Sequence, residues 1–224
     1  MPTMALGAFP GWLARIMELR IDVDPGSWIL DNELDSLYRR ITRPGDRLHD
    51  MPEVKTEIPG LVLRYREADG EFYVYVVDKV RGRLAGYTVF NRLIEVGRRA
   101  DPFLRAPHSK YDAPYQRQGL AGAVYRWALE AGQCLMTGAR QSPAARGLWQ
   151  SLSRQHEFGY VDVRRKVLTD LGKQVPDAVL HDLHTRMVLL GRGWTWESLG
   201  ALAGIRRPAG NSLLHEPSRH RLRV

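Results

Sequence analysis

The sequence feature that most constrains the fold is a change in the spacing of apolar residues at position 61. From there Leu61, Leu63 and Tyr65 occupy alternate positions, which is the pattern of a half-buried strand. Two further segments rich in β-branched and aromatic residues follow at 72–77 and 84–90, each after a short turn that contains glycine. Three such segments with short connections predict an antiparallel meander.

The pattern changes again after the meander. A fourth strand is expected between Phe103 and Ala113, and helical and strand patterns then alternate. Alternation of this kind is typical of layered folds that combine helices and a sheet, rather than of an all-β barrel, and we predict the α+β class. The remaining elements are predicted, in chain order, as a helix at 120–132, a buried strand at 134–137, a helix at 143–154, strands at 158–163 and 186–190, and a short helix after Trp194.

The first 60 residues carry helical patterns instead. One helix is predicted to begin at an N-cap, Asp31 or Asn32, and to end before Pro44, and an earlier helix is predicted at 12–20. The chain therefore divides into an N-terminal helical part, a core, and an extension with a short helix and a basic tail. These three parts are expected at 1–60, 61–190 and 191–224.

Composition limits the classes of partner. The formal net charge of +8 would attract polyanions, which include nucleic acid, an anionic membrane surface and a phosphate-rich cofactor. The single cysteine, Cys134, cannot form an internal disulfide, which fits a reducing compartment, and we expect the cytoplasm. The apolar stretch near the N-terminus is too short to span a bilayer and lacks the features of an export signal, so no membrane association is expected.

The segment that carries chemistry is a hexapeptide between the fourth strand and the next helix. It reads Gln116, Arg117, Gln118, Gly119, Leu120 and Ala121. A turn of small residues that opens a helix directs several free amide hydrogens at one spot, and the helix dipole adds positive charge there. Such a spot binds phosphate, and a glycine allows the backbone to approach the anion closely. An ordinary strand-to-helix connection remains the alternative interpretation of the hexapeptide alone.

Together with its surroundings, this segment resembles the pyrophosphate-binding motif of the GNAT acetyltransferase superfamily. The upstream meander and the downstream order of helix, short strand and helix are similar to that family as well, over roughly 61–190. The resemblance implies a mixed, splayed β-sheet flanked by helices, with acetyl-CoA as co-substrate and its pantetheine arm between the strand that ends near Ala113 and the strand at 134–137. It also implies direct transfer of the acetyl group to an amine in a ternary complex, with the N-terminal helical part at 1–60 on the side of the acceptor amine.

The sequence departs from the family pattern at the second helix. Many relatives carry a tyrosine there that protonates the leaving thiolate, whereas this chain has Trp149 in the corresponding place. An indole has no proton to give at a useful pKa, so another donor or water must serve. Ser142, at the start of the same helix, is a candidate both for an N-cap and for a hydrogen bond to the cofactor.

Candidates for the general base lie on the fourth strand. His108 is the first, because the unperturbed pKa of histidine, about 6.5, suits proton abstraction near neutral pH, and Tyr111 and Asp112 are alternatives. No metal is expected, because no ligand set accompanies the His181 and His184 pair. Cys134 lies in an apolar run, where a packing role is favoured over a nucleophilic one.

Three functions remain open at this stage. The first is an N-acetyltransferase for an amine that the sequence does not identify. The second is a module related to toxin members of the family, which would acetylate aminoacyl-tRNA and hold RNA through the basic surface or the tail at 206–224. The third is a catalytically silent acyl-CoA-binding protein, suggested by Trp149. A homodimer is compatible with each of these functions.

Overall fold

The computed structural model describes residues 27–207, with the side chains of residues 27 and 28 excepted. The first described helix, α1, spans Ser27–Thr42. The prediction of its start was wrong: Asp31 and Asn32 lie inside the helix rather than at its N-cap, because the helix already includes the residues from Ser27 onwards. The helix predicted at 12–20 lies outside the described residues.

The described strands form one mixed sheet of nine strands. Their order across the sheet is β1, β2, β3, β4, β5, β6, β9, β7 and β8, and all neighbours are antiparallel except β5 and β6. In chain order the strands are β1 Glu53–Lys55, β2 Leu61–Ala68, β3 Glu71–Asp78, β4 Arg83–Asn91, β5 Leu104–Tyr111, β6 Cys134–Met136, β7 Phe158–Arg164, β8 Val167–Gly172 and β9 Thr185–Leu189.

Helices cover both faces of this sheet. After α1 they are α2 Leu120–Glu130, α3 Pro143–Ser153, α4 Asp177–Leu180 and α5 Trp196–Ala203. The 3-10 turn Ala113–Tyr115 joins β5 to the segment before α2. None of the helices in the described part of the chain is long and apolar enough to span a membrane. The expected α+β class, a mixed sheet flanked by helices, is confirmed.

Two opposite faces of the sheet carry separate apolar cores, because side chains alternate along each strand. One face, here called the helix-pair face, packs against α2 and α3 through residues such as Val74, Phe90 and Leu129. The other, here called the α1 face, packs α1 against β2, β3 and β4 through residues such as Leu34 and Tyr87. A third core packs α5 and the segment before β5 against β6, β9 and β7.

The sheet opens between β5 and β6. These two strands pair in parallel at only two positions, Leu104 with Cys134 and Arg105 with Leu135. Strand β5 then runs on to Tyr111, whereas β6 ends at Met136. From residue 106 to residue 111, no described strand pairs with the edge of β5 that faces away from β4. The result is the splayed junction that the sequence resemblance implied.

One glycine is required where β4 meets the end of β5. A Cβ atom on Gly86 would lie 2.3 Å from Cδ1 of Tyr111 and 2.4 Å from the carbonyl oxygen of Lys110. The register between β3 and β4 also shifts here, between Val76 and Val77. Such a bulge bends a strand locally, and the bend brings the end of β5 and the turn that follows it close to β4.

The strands and helices predicted downstream of position 61 are present, with ends that differ by a few residues. The last predicted strand begins and ends one residue earlier, at Thr185–Leu189. Three short elements were not predicted: β1, β8 and α4 have three, six and four residues, respectively. Segments this short contain too few apolar residues to show a period.

Candidate functional site

The hexapeptide at 116–121 forms an exposed turn that leads directly into α2. Arg117 and Gly119 both adopt left-handed backbone conformations, with φ of 60° and 79°, respectively. Gly119 is the N-cap of α2 and provides no side chain to cap it. Arg117 is a non-glycine residue in a region that such residues rarely adopt, and this strain marks the turn as a place where function can outweigh local stability.

The amide hydrogens of this turn are available to a ligand. Within the described part of the chain, no group accepts a hydrogen bond from the backbone N–H groups of residues 117–122. The next amide, that of Ala123, donates to the carbonyl oxygen of Gly119 at 2.9 Å. Successive amides around left-handed residues form a concave cradle for anions, and the N-terminus of α2 adds its dipole. The turn therefore has the donors that a pyrophosphate needs.

Two glutamine side chains fasten the turn to the protein. Gln116 donates through Nε2 to the carbonyl oxygen of Tyr111 at 2.9 Å, and Gln118 donates to that of Pro114 at 2.6 Å. Both bonds return to the segment just after β5. The side chains of Gln116 and Gln118 thus position the turn, while its amides from residue 117 to residue 122 have no acceptor among the described residues.

A buried contact secures the start of the turn. The hydroxyl of Tyr115 donates to Oδ2 of Asp78 at 2.6 Å, and both side chains are buried. Burial alone would raise the pKa of Asp78, but hydrogen bonds from Tyr115 and from the amides of Arg81 and Val80 hold that pKa below its ordinary value. Asp78 is therefore a charged anchor that ties the turn to the end of β3.

A cavity of about 880 Å³ lies on the α1 face of the sheet. Its floor is built from two rows of paired residues that cross β3, β4 and β5. One row is Tyr73, Val89 and His108, and the other is Tyr75, Tyr87 and Lys110. Its walls come from α1, the β2–β3 turn, the segment after β4 and the β7–β8 turn, with the charged residues Glu33, Asp69, Glu71, Arg92, Arg98, Asp101 and Lys166.

His108 lies on the floor of this cavity, on the strand whose far edge is open. It is half-buried and pairs with Val89 of β4. Its neighbour along the strand on the same face, Lys110, donates to Glu33 of α1 at 3.1 Å, and Glu33 also accepts from the hydroxyl of Tyr87 at 2.6 Å. Sequence reasoning did not single out Glu33 or Lys110, because the contact joins residues 77 positions apart.

Tyr111 lies on the opposite face of β5, so the structure does not bring it together with His108. Its hydroxyl is 3.1 Å from Oγ1 of Thr88, and burial raises its pKa far above that of an ordinary tyrosine. Asp112, the other alternative base, is buried and accepts from Nη2 of Arg83 at 2.7 Å. Neither group reaches the cavity that contains His108.

Ser142 is the N-cap of α3, and its hydroxyl accepts from the amide of Ala145 at 3.2 Å. This bond confirms the predicted N-cap role, and the predicted bond to a cofactor stays a prediction. Trp149, on the same helix, is buried against the helix-pair face, and its ring meets that of Tyr125 with the centroids 6.1 Å apart. An indole therefore fills the place where the resemblance puts a tyrosine.

The structure also describes Cys134 and the histidine pair that the sequence analysis considered. Cys134 is buried in β6, and burial raises the pKa of its thiol to about 11, so it stays a neutral packing residue near neutral pH. His184 donates through Nδ1 to the carbonyl oxygen of Val163 at 3.1 Å, and His181 follows the end of α4. Within residues 27–207, no group of three or more metal-ligating side chains is present.

Comparison with known proteins gives matches among solved structures. No protein-family model matches the sequence, and no curated protein matches it. A GNAT superfamily phosphinothricin acetyltransferase from Sinorhizobium meliloti is 20% identical with a TM-score of 0.35, and the match covers 55% of this chain and 63% of that one.

Two other solved structures are acetyltransferases as well. A spermidine N-acetyltransferase chimera from Vibrio cholerae is 16% identical with a TM-score of 0.34, over 80% of this chain and 90% of that one. A ribosomal-protein-S5-alanine acetyltransferase from Vibrio fischeri is 14% identical with a TM-score of 0.32, over 73% of this chain and 91% of that one. The sequence resemblance had named the same superfamily as the first of these matches.

Proposed function

We propose that this protein is an acetyl-CoA-dependent N-acetyltransferase of the GNAT type. The observation that carries the proposal is the combination of the open turn at 116–121 with the splayed junction between β5 and β6. The turn offers unbonded amides from residue 117 to residue 122, and the junction leaves one side of β5 without a partner strand. Each feature alone is common, but a phosphate cradle beside an open strand edge fits a long, phosphate-bearing thioester.

The cofactor would lie along the open edge of β5. Its pyrophosphate would accept hydrogen bonds from the amides of the turn, where the dipole of α2 favours negative charge. The pantetheine arm contains amides, and the unpaired side of β5 beyond Arg105 offers backbone groups for them, as an added strand would. Ser142 would contribute from the N-terminus of α3 in addition to its capping bond.

The acceptor amine would approach from the cavity on the α1 face. This cavity contains His108 on the strand that borders the open junction, so a thioester in the junction and an amine in the cavity would meet at β5. The nitrogen of the amine would attack the carbonyl carbon of the thioester, and His108 would take a proton from that nitrogen as it attacks. Holding both reactants in one ternary complex supplies the orientation that such direct attack requires.

The test combines binding and turnover. Calorimetry with acetyl-CoA should show binding to the wild-type protein, and an assay of thiol release across a panel of amines should identify acceptors. Replacing His108 with Gln should lower turnover about 10²-fold or more, which is the lower end of the usual contribution of a general base, and leave acetyl-CoA affinity unchanged. Absence of acetyl-CoA binding in the wild type would refute the proposal.

Two other functions predict different results. A silent acyl-CoA-binding protein would bind acetyl-CoA and show no thiol release with any amine. A tRNA-directed enzyme would require aminoacyl-tRNA, and the tail suggested for its RNA contacts lies largely outside the described residues. No contact within residues 27–207 favours either alternative over the leading proposal.

A further inference from the structure

The proposed reaction needs a proton donor at the sulfur atom that leaves. Trp149 occupies the place where the resemblance puts a tyrosine, and its indole cannot protonate a thiolate. Another group near the same place must donate the proton, or water must do so. The helix-pair face beside the open edge of β5 contains hydroxyl groups that the proposed mechanism does not yet use.

Four hydroxyl groups form a chain within this otherwise apolar core. The hydroxyl of Tyr111 lies 3.1 Å from Oγ1 of Thr88, and Thr88 lies 2.8 Å from Oγ of Ser109. Ser109 in turn donates to the hydroxyl of Tyr125 on α2, at 3.4 Å. The chain thus runs from β4 and β5 to α2, next to the edge of β5 that has no partner strand.

The directions of these hydrogen bonds leave one hydroxyl proton without an acceptor. Because Ser109 donates to Tyr125, a consistent assignment has Thr88 donate to Ser109 and Tyr111 donate to Thr88. The hydroxyl proton of Tyr125 then has no acceptor among the residues that the structure describes. A buried donor without an acceptor is unfavourable unless a ligand provides one.

The position of Tyr125 matches the missing donor. Its ring packs edge-on against Trp149, with centroids 6.1 Å apart, and against Phe90, with centroids 6.0 Å apart. Tyr125 is 5% exposed, so its hydroxyl is held in place by its neighbours. The ring of Tyr125 therefore lies beside the indole of Trp149, and its hydroxyl lies next to Ser109 of β5, the strand along which the thioester would lie.

We propose that Tyr125 donates the proton to the sulfur of the departing coenzyme A. This inference rests on the proposed function. The amine nitrogen forms a bond to the acyl carbon, the carbon–sulfur bond breaks, and the sulfur keeps the electron pair. The phenolic proton of Tyr125 passes to the sulfur, and Tyr125 is reprotonated through Ser109, Thr88 and Tyr111. His108 releases to water the proton that it takes from the amine, and a proton from water restores the hydroxyl of Tyr111, so that the enzyme ends unchanged.

The protonation state of Tyr125 agrees with a donor role. Burial raises its pKa, because the apolar surroundings disfavour a charged phenolate, although the bond from Ser109 lowers it. The hydroxyl therefore keeps its proton throughout the neutral range. The same surroundings disfavour an unprotonated thiolate, so a hydrogen bond donated to the sulfur has its greatest effect there.

Two measurements on Tyr125→Phe test the assignment. The first is turnover at saturating substrates, which should fall about 10²-fold while acetyl-CoA affinity measured by calorimetry stays unchanged. The second is a pH titration of the thiol of bound coenzyme A, followed by the ultraviolet absorbance of the thiolate. Loss of the hydrogen bond from Tyr125 should raise the pKa of that thiol relative to its value in the wild-type complex.

Tyr65→Phe is the matched control. Tyr65 also packs against α2, with its ring 5.2 Å from that of Trp127, and its hydroxyl takes part in no hydrogen bond within the described residues. This variant should keep both turnover and the thiol pKa. If Tyr125→Phe does not fold, Ser109→Ala should still slow turnover several-fold, because it removes the group that reprotonates Tyr125.

The outcomes separate this inference from the proposed function. A Tyr125→Phe protein that binds acetyl-CoA with unchanged turnover and unchanged thiol pKa would overturn the role of Tyr125 and leave the acetyltransferase proposal standing. Unchanged turnover in Ser109→Ala would count against the proton route in the same way. A wild-type protein that binds no acetyl-CoA would instead remove the proposed function on which the inference rests.

Discussion

The turn at 116–121 and the loop at 92–101 flank the same strand, β5, but satisfy their polar groups in opposite ways. The turn leaves the amides of residues 117–122 without an acceptor among the described residues. The loop bonds most of its polar groups to itself or to its neighbours. The difference agrees with the proposed role of the turn in binding a ligand, whereas the loop holds a wall of the cavity in place.

Ion pairs and side-chain bonds at three positions fix the loop. Arg92 donates through Nε and Nη2 to Oδ2 of Asp101, and Oδ1 of Asp101 accepts from the amide of Leu93 at 3.2 Å. Glu95 pairs with the buried Arg186 of β9 at 3.2 Å. Arg99 donates to carbonyl oxygens at the end of α5. A wall fixed at three points keeps its shape, so the acceptor should enter a cavity that is already formed.

The largest expected effect concerns the turn. Gly119→Val should weaken acetyl-CoA binding about 100-fold, because a branched side chain disfavours the left-handed backbone and crowds the amides that face the phosphate. Gly172→Val is the matched control, because Gly172 has the same φ of 79° and, like Gly119, leaves nothing within 4 Å of an added Cβ. Calorimetry measures both affinities, and thermal unfolding measures the backbone strain that the two variants share.

Equal losses of affinity in the two glycine variants would contradict the comparison. They would show that strain anywhere in the fold weakens acetyl-CoA binding, and that the turn has no special role. Equal losses of stability with unequal affinities are the expected result.

The next effect concerns the loop. Glu95→Gln should lower the free energy of unfolding by about 1–2 kcal/mol, because it leaves the guanidinium of Arg186 buried without its carboxylate. The value lies below that of a fully buried pair because Glu95 is 37% exposed and water can replace it in part. The same variant should raise the KM of the acceptor amine and leave acetyl-CoA affinity unchanged.

Glu130→Gln provides the control for the loop variant. Glu130 pairs with Arg192 at 3.6 Å, and both side chains are more than half exposed, so its loss should not change stability measurably. Denaturant titrations measure the free energy of unfolding of both variants, and only Glu95→Gln should show a loss. A loss of acetyl-CoA affinity in Glu95→Gln would mean that the loop and the turn are coupled rather than independent.

A smaller effect concerns the anchor of the turn and depends on pH. The pKa of Asp78 is depressed in the folded state, so the stability that it contributes is present above its unfolded pKa, about 3.9, and is lost as pH falls through the folded pKa. Asp78→Asn should therefore be about 1 kcal/mol less stable than the wild type at neutral pH. Unfolding titrations should show this difference shrinking below about pH 4. A constant difference across pH would contradict the charged state of Asp78.

The smallest expected effect concerns the basic tail. Truncation should follow Arg207, because Ile205 packs in the third core and Arg206 forms a bridge with Thr169. Under the leading proposal, this truncation changes neither acetyl-CoA affinity nor turnover. If the tail holds nucleic acid, gel shifts of the full chain should weaken steeply with salt, with a slope of about 0.9 per phosphate on duplex DNA and about 0.7 on single strands. A flatter slope after truncation would favour the RNA-directed alternative.

The sequence predicted the sheet and the turn because both leave local signals. Alternation from Leu61 onwards defined the meander, and Gly119 between a strand and a helix pointed to the cradle. The N-cap of α3 at Ser142 followed from the same kind of local chemistry. By contrast, the start of α1 was placed too late, since polar residues such as Asp31 resemble caps even inside a helix.

The cavity and the hydroxyl chain could not be predicted from the sequence. Glu33 reaches Lys110 across 77 positions, and Thr88 reaches Ser109 across 21, so no short spacing marks either contact. His108 was proposed from its chemistry alone, and its role as general base stays a prediction. Its separation from Tyr111 across the plane of the sheet follows from strand alternation, and the choice between the two faces required the packing of α1.

The narrow contact between β5 and β6 also bears on how the sheet holds together. Two residue pairs join a half made of β1 to β5 to a half made of β6 to β9, whereas β3 and β4 share seven. We expect the sheet to open most readily between β5 and β6, because few backbone hydrogen bonds must break there to separate the halves. Native-state hydrogen exchange should therefore show the amides of Arg105 and Leu135 exchanging faster than those at the centre of β3. Occupation of the gap by a thioester arm would add bonds there and slow that exchange.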